Sequence, residues 1–276
     1  MSANQNTLRI ALIGFGEVGR RFADDLLDRP GLSLSSFDIL HHDAAKRDAY
    51  ERAAAERKVA ARASASEACA GAHLVISAVT AAAAEDVAAE ASGFLESEQI
   101  FFDINSAAPS TKRRAAAHLS KGGAEYVEGA VMAPVKKPGI RVPILAGGKR
   151  AAEVAERLNA HGFDITPVSE EIGQASATKL CRSIIIKGLE ALMVDCARAS
   201  EHFEVKQAVF ASLEKTFPSI DWHALSDDMN ERVATHGKRR SEEMREAGEM
   251  LADAGFDPEL ARAVANAQAR GARRHG

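Results

Sequence analysis

The sequence predicts a doubly wound parallel α/β sheet followed by an all-helical domain, and its first hundred and seventy or so residues set the pattern. An apolar run from Leu8 to Ile13 breaks into Gly14, Gly16 and Gly19, and the residues after it have helical apolar spacing. Strand-like apolar runs then alternate with alanine-rich stretches as far as Ser169. From Gly173 the texture changes. Residues 175–203 hold no proline and one interior glycine, Gly188, with Leu180, Ile184, Leu189, Leu192, Met193 and Cys196 among the apolar positions.

Each element follows from local pattern. A helix is expected over 18–27 and a strand over 32–37, where Leu32 and Leu34 alternate with serines up to Asp38. Residues 44–57 read as a helix, 73–79 as a buried strand, 81–94 as a helix, 99–104 as a strand and 109–120 as a helix. Strands at 124–131 and 142–146, a helix at 150–161 and a strand at 164–168 complete the layer. Alternation of this kind implies parallel strands covered on both faces. The expected domains are 1–169 and 170–276, the second opening with the long helix. Further helices are expected at 206–216, 222–236, 238–254 and 258–269, separated by Phe217-Pro218, Gly237 and the turn Gly255-Phe256-Asp257-Pro258.

The glycines form G-F-G-E-V-G, a G-x-G-x-x-G in the strand–turn–helix setting that gives it meaning. The first glycine makes the tight turn, the second admits a pyrophosphate, and the third packs helix on strand, while the helix N-terminus supplies positive potential. The first domain therefore reads as a Rossmann-type dinucleotide-binding domain. An acidic residue about 20 positions on would hold the ribose hydroxyls, and Asp38 stands there; its plainer reading is an aspartate opening a loop. A carboxylate at that place favours NAD and repels the extra phosphate of NADP. His41, His42, Lys46 and Arg47 keep NADP open, or form a solvated loop and helix start.

Composition removes several alternatives. The chain of 276 residues is 46% apolar with a formal charge of −4, which gives no reason to expect nucleic acid or an anionic membrane. Arg270, Arg273 and Arg274 read as a frayed, solvated tail. No run reaches the roughly 18 apolar residues of a membrane span, and the start M-S-A-N-Q-N lacks the regions of a signal peptide. A cytoplasmic protein is expected. Cys69, Cys181 and Cys196 are odd in number and widely spaced, hence reduced packing residues, and the nine histidines show no zinc spacing.

A glycine-rich first turn, a parallel-sheet domain and a long helix opening a helical domain resemble the 3-hydroxyacid dehydrogenase family, which includes 6-phosphogluconate dehydrogenase and hydroxyisobutyrate dehydrogenase. H-G-K-R-R-S-E-E-M-R-E and A-G-F-D-P-E-L-A-R-A are similar to a subgroup whose C-terminal domain has no assigned role. The resemblance spans essentially the whole chain. Its sharpest motif is Gly173-Gln174-Ala175-Ser176-Ala177-Thr178-Lys179, similar to the family's G-x-x-x-x-x-K. It implies that Lys179 is catalytic. The chemistry agrees, because alcohol oxidation needs a group to take the hydroxyl proton and reduction needs one to return it; a lone helical lysine is otherwise usually solvated.

Asp103-Ile104-Asn105-Ser106 resembles the family's D-x-S-T beside nicotinamide and substrate, although a strand end and helix cap would look the same. Met132, Ala133 and Pro134 replace the serine and paired glycines that hold a substrate carboxylate in the family. Ser183 stands where relatives carry asparagine, and Ile186 where decarboxylating phosphogluconate enzymes carry glutamate. Glu190 lies about 16 Å along the helix from Lys179, too far to replace that acid. The resemblance thus implies an NAD(P)-dependent dehydrogenase for a hydroxy acid or related polar alcohol, with the departure at Met132, Ala133 and Pro134 pointing away from the family's usual small 3-hydroxy acid. Its expected residues are catalytic Lys179; substrate-binding Asn105, Ser106, Met132 and Ser183; and cofactor-binding Gly14, Phe15, Gly16, Glu17, Val18, Gly19, Asp38, Val79, Thr80 and Asn105.

Two alternatives stand beside this reading. One is an imine reductase of the same architecture, which commonly has aspartate or tyrosine at the lysine position; the other is a sensor that binds NAD without turnover. The helix after Gly173 is apolar on more than one face, through Ile184, Ile185, Ile186, Leu189, Leu192, Met193 and Val194, so more than one neighbour must bury it. That predicts a homodimer through the helical domain.

Overall fold

The computed structural model describes residues 7–272; the M-S-A-N-Q-N start and the expected tail residues Arg273 and Arg274 lie outside them. Contacts divide the chain into two compact units, Met1–Lys179 and Leu180–Gly276. Sequence pattern puts the end of the sheet domain at 169, whereas the contacts group the first turn and a half of the following helix with the sheet.

In the first unit, β1 (Leu8–Ile13), α1 (Glu17–Leu26), β2 (Leu32–Phe37), α2 (Arg47–Ala55), β3 (Ala60–Ala61), α3 (Ala65–Cys69) and β4 (Leu74–Ser77) follow in order. Then come α4 (Ala84–Ala91), β5 (Ile100–Asp103), α5 (Pro109–Gly122), β6 (Glu125–Val131), β7 (Pro143–Gly147), α6 (Ala151–Asn159) and β8 (Asp164–Ser169). Among the described residues the strands form one sheet in the order β3-β2-β1-β4-β5-β6-β7-β8. Successive side chains of a strand point to opposite faces. Accordingly Ile10 and Leu12 join one core with Phe22, Tyr50 and Leu158, while Ala11 and Ile13 join a second with Val75, Phe101 and Leu119. Helices cover both faces, as the alternation predicts.

One expectation about the sheet is corrected, and two short elements are added. β6 and β7 pair antiparallel, not parallel. A parallel connection needs a crossover of a dozen or more residues, usually a helix; residues 132–142 contain only the short 3-10 turn Gly139–Arg141, so the chain turns straight back. β3 and α3 escaped the sequence reading because two and five residues are too few for a period to show.

The long helix is α7 (Gln174–His202), and from Leu180 onward it belongs to the second unit with α8 (Lys206–Thr216), α9 (Trp222–Asp253) and α10 (Glu259–Gly271). Small residues let these helices approach closely: Leu180, Ala191, Met244, Ala247, Ala261, Val264 and Ala265 form one core. Met193, Phe210 and Met229 form another. Gly237, expected to separate two helices, lies inside the single helix α9. Its role is packing, since a Cβ there would run into the backbone carbonyl of Gln268 on α10. Arg270, expected in a loose tail, sits in the last turn of α10, 3.6 Å from Asp195.

Arg240 and Glu243 of the H-G-K-R-R-S-E-E motif are used inside this unit. Arg240 donates to both carboxylate oxygens of fully buried Glu190 at 2.6 Å. Gln268 donates to Glu190 at 3.1 Å and to the Lys187 carbonyl at 3.0 Å. Lys187 in turn donates to Glu243 at 3.0 Å. Burial pushes the Cys69 thiol up to about 12, as befits a packing residue, whereas Cys181 is exposed. No described helix is long and apolar enough to cross a membrane.

Candidate active site

In an open α/β sheet a ligand binds beyond the carboxyl ends of the strands, where the strand order reverses. Here the reversal falls between β1 and β4. The glycines after β1 occupy it, each for a different reason. Gly14 has φ +90°, and a Cβ there would strike the Ala78 carbonyl beyond β4. Gly19 abuts the Gly14 carbonyl, so it packs α1 against the turn. Gly16 is exposed with nothing within 4 Å of its missing Cβ. As the N-cap of α1 it carries no side-chain cap, leaving the start of the helix fit for an anion. The turn therefore suits a pyrophosphate: two glycines serve the fold and the third leaves room.

Phe15 is fully buried, edge-on to Tyr50, and donates its N–H to Asp38 Oδ2 at 2.7 Å. Asp38 Oδ1 accepts from the Leu40 N–H at 2.9 Å and caps the 3-10 turn Ile39–His42. The two readings of Asp38 thus coincide: it opens a turn and stands at the glycine loop. In the basic cluster, Lys46 pairs with Asp43 at 3.0 Å, Arg47 donates to the His41 carbonyl at 2.6 Å, and His41 Nδ1 lies 3.4 Å from Glu51. Exposed Glu17 and half-buried Val18 open α1; half-buried Val79 and exposed Thr80 follow β4.

Asn105 and Ser106 follow β5. Asn105 is held by Asp103 Oδ1, which accepts from its N–H at 2.9 Å and from its Nδ2 at 2.6 Å, and by Ser77 Oγ at 3.0 Å. Asp103 is itself fixed by Lys112 Nζ at 3.0 Å and the Tyr126 hydroxyl at 2.6 Å, all three side chains being buried. Burial, and then the Asp103 charge, push the Tyr126 phenol well above its ordinary range and keep it a donor. Half-buried Lys179 donates from Nζ to Ser106 Oγ at 2.8 Å. The structure thus brings together Lys179 and Ser106, with Asn105 adjacent in the chain. Met132 is half-buried, and its N–H extends the β6–β7 ladder to the Pro143 carbonyl at 2.9 Å.

Ser183 is in the helical unit. Its hydroxyl donates to Glu243 at 2.6 Å and accepts from Lys187 at 3.1 Å. Among the described residues no group of three or more His, Cys, Asp or Glu is placed to hold a metal ion.

Sequence reasoning missed Glu128. This fully buried carboxylate on β6 receives the start of α7: Oε1 accepts from the N–H groups of Gly173 at 2.6 Å and Ala175 at 3.0 Å. Oε2 accepts from the Ser176 hydroxyl at 2.8 Å and its N–H at 3.4 Å. A negative charge satisfies the orphan amides and complements the helix dipole. A signal was present: E-E-I-G-Q-A starts a helix with no Ser, Thr, Asp or Asn directly before it, so the cap has to come from elsewhere.

Sheet order, glycine turn and strand-edge polar groups define a dinucleotide-binding protein of the Rossmann type. The chain belongs to the family described as the NAD binding domain of 6-phosphogluconate dehydrogenase, whose model matches residues 9–159. Residues 201–271 match a domain of unknown function, DUF1932. A conserved hypothetical protein from Sinorhizobium meliloti 1021 is 39% identical, with a TM-score of 0.85 over 96% of this chain and 88% of its own. The conserved protein MTH1747, of unknown function and described as structurally similar to 3-hydroxyacid dehydrogenases, is 28% identical with a TM-score of 0.78 over 96% of each chain. Mycobacterium tuberculosis 3-hydroxyisobutyrate dehydrogenase shares the fold at 17% identity, with a TM-score of 0.77 over 96% of this chain and 93% of its own.

Glu128→Gln keeps the side-chain length but turns an NH₂ toward donors. Hydrogen bonds to charged groups contribute about 1.5–3 kcal/mol each, so unfolding in urea is expected to require about 2–4 kcal/mol less, at unchanged m-value. Glu125→Gln at the start of β6, half-buried, is expected to stay within about 0.5 kcal/mol.

Proposed function

We propose that this protein is an NAD(P)-dependent oxidoreductase of the 3-hydroxyacid dehydrogenase type, acting in the cytoplasm on a hydroxy acid or related polar alcohol. The observation that carries the reading is the 2.8 Å bond from Lys179 Nζ to Ser106 Oγ, in the same unit as the glycine turn. A bound nicotinamide cofactor supplies the two-electron exchange. The chain's part is the proton: the Lys179 amine takes it from the substrate hydroxyl in oxidation, and the ammonium returns it to the carbonyl oxygen in reduction. Ser106 aims the amine. Asn105, next to Ser106 in the chain, Met132, just after β6, and Ser183, one turn along α7, are the proposed substrate contacts, and the Ser183 hydroxyl keeps one lone pair after Glu243 and Lys187 are served.

Lys179→Met retains the aliphatic length without the ionisable amine. Turnover of a hydroxy acid found by screening for NADH formation is expected to fall about a hundredfold to ten-thousandfold, with cofactor affinity unchanged; a wild-type rate across the pH range overturns the role.

NAD is the proposed cofactor in preference to NADP. Asp38 accepts two backbone bonds and keeps further lone pairs for ribose hydroxyls, while its charge opposes a phosphate. Lys46 and Arg47, the cations that would receive that phosphate, already have partners. Fluorescence titration is expected to show NADH binding more tightly than NADPH, and the reverse order shifts the assignment to the basic cluster.

The partner is a second copy of the chain. Ile185, Leu189 and Leu192 are 63%, 46% and 68% exposed and lie at helical spacing along α7, an apolar face that a homodimer would cover. Light scattering at micromolar concentration is expected to give twice the monomer mass.

A further inference from the structure

The helical unit holds a cavity of its own, about 360 Å³ in volume, between the second half of α7 and the first half of α9. Each wall is one helical stripe. Val194, Ala197, Arg198 and Glu201 on α7 stand at i, i+3, i+4 and i+7, one face of the helix. Asp227, Asn230, Glu231 and Ala234 repeat that spacing on α9, and Lys206 at the start of α8 joins them. Val194, Ala197 and Val233 are buried and make the apolar part of the lining. The stripe on α7 lies opposite the apolar face assigned above to a second copy, since Glu201 stands nine residues, about two and a half turns, beyond Leu192. A homodimer formed through that face does not use the cavity.

The charges along the cavity are not spent on one another. Elsewhere in the unit, neighbours at helical spacing pair: Arg232 with Asp228 at 2.8 Å and Arg262 with Glu259 at 2.6 Å. Among the described residues Arg198, Glu201, Lys206 and Asp227 enter no ion pair. Half-buried Asn230 donates from Nδ2 to the Ser226 carbonyl at 2.8 Å, which leaves its Oδ1 as an acceptor. One wall thus offers a guanidinium, whose planar fork matches a carboxylate. The other offers a carboxylate and an amide oxygen, acceptors for an ammonium. Lys206 and Glu201 add one charge of each sign. We propose that this cavity binds a free α-amino acid with an aliphatic side chain, its carboxylate on Arg198, its ammonium on Asp227 and Asn230, and its side chain against Val194, Ala197 and Val233. This site is independent of the oxidoreductase reading.

Calorimetric titration of the full chain with L-valine, L-leucine and L-methionine tests this. At least one is expected to bind with a Kd below about 1 mM. For that amino acid, the matching acid without the ammonium and the matching amine without the carboxylate are each expected to bind about tenfold more weakly or worse, the factor a hydrogen bond to a charged group contributes. Arg198→Gln and Asp227→Asn change exposed side chains, so each is expected to raise Kd about tenfold with Tm unchanged. Arg239→Gln, exposed on α9 outside the cavity, is expected to leave Kd unchanged. Absence of binding by all three amino acids overturns the proposal, as does equal binding of the acid or the amine, or an affinity unmoved in either cavity variant. Affinity lost in Lys179→Met but kept in Arg198→Gln assigns the ligand to the candidate active site and overturns it too.

Discussion

The arrangement of the candidate site depends on a carboxylate that touches none of its reacting groups. Glu128 stands on β6, fully buried, and the first amides of α7 converge on it. An isolated carboxylate at that depth would be costly; four hydrogen bonds and the positive end of a helix make it favourable. The converse holds as well, because the start of α7 has no cap of its own. Strand and helix each complete the other, and this junction fixes where the helix leaves the sheet. Lys179 lies one turn beyond Ser176, so the direction set at Glu128 decides whether its amine reaches Ser106.

The same principle appears at the end of β5. Asp103, Lys112 and Tyr126 form a buried cluster in which every charge is paired or bonded. It contributes little by way of hydrophobic stabilisation. What it provides is rigidity at the strand edge, where Asn105 and Ser106 must hold their side chains still. Fully satisfied polar networks restrict side chains to one arrangement more sharply than apolar packing does.

Features governed by short-range pattern were legible in the sequence. The glycine triplet, the strand–helix alternation, the position of Asp38 and the unbroken run of α7 each depend on neighbours a few residues away, and the family match over residues 9–159 agrees with the resemblance those motifs carried. Features governed by distant partners were not. Gly237 looks like a helix stop until α10 is laid against it. The reversal between β6 and β7 hides because a strand's period does not state its direction. Glu128 reads as an ordinary acidic residue in a strand, since its partners come 45 to 48 positions later. In the H-G-K-R-R-S-E-E motif, Arg240 and Glu243 turn inward to meet Glu190 and Lys187, partners that lie 50 and 56 positions earlier.

That inward turn bears on how the helical unit finds one structure. Four of the seven residues in the core around Leu180 and Met244 are alanine, so along that stretch few bulky knobs hold α9 in register against α7. The polar groups prevent it. A slip of one turn would take Arg240 from Glu190 and Glu243 from Lys187 together, stranding two buried charges, and would move Gly237 away from the place where α10 comes closest. The helices are keyed like a ratchet: their apolar surfaces supply the attraction, and the ion pairs penalise every axial setting but one.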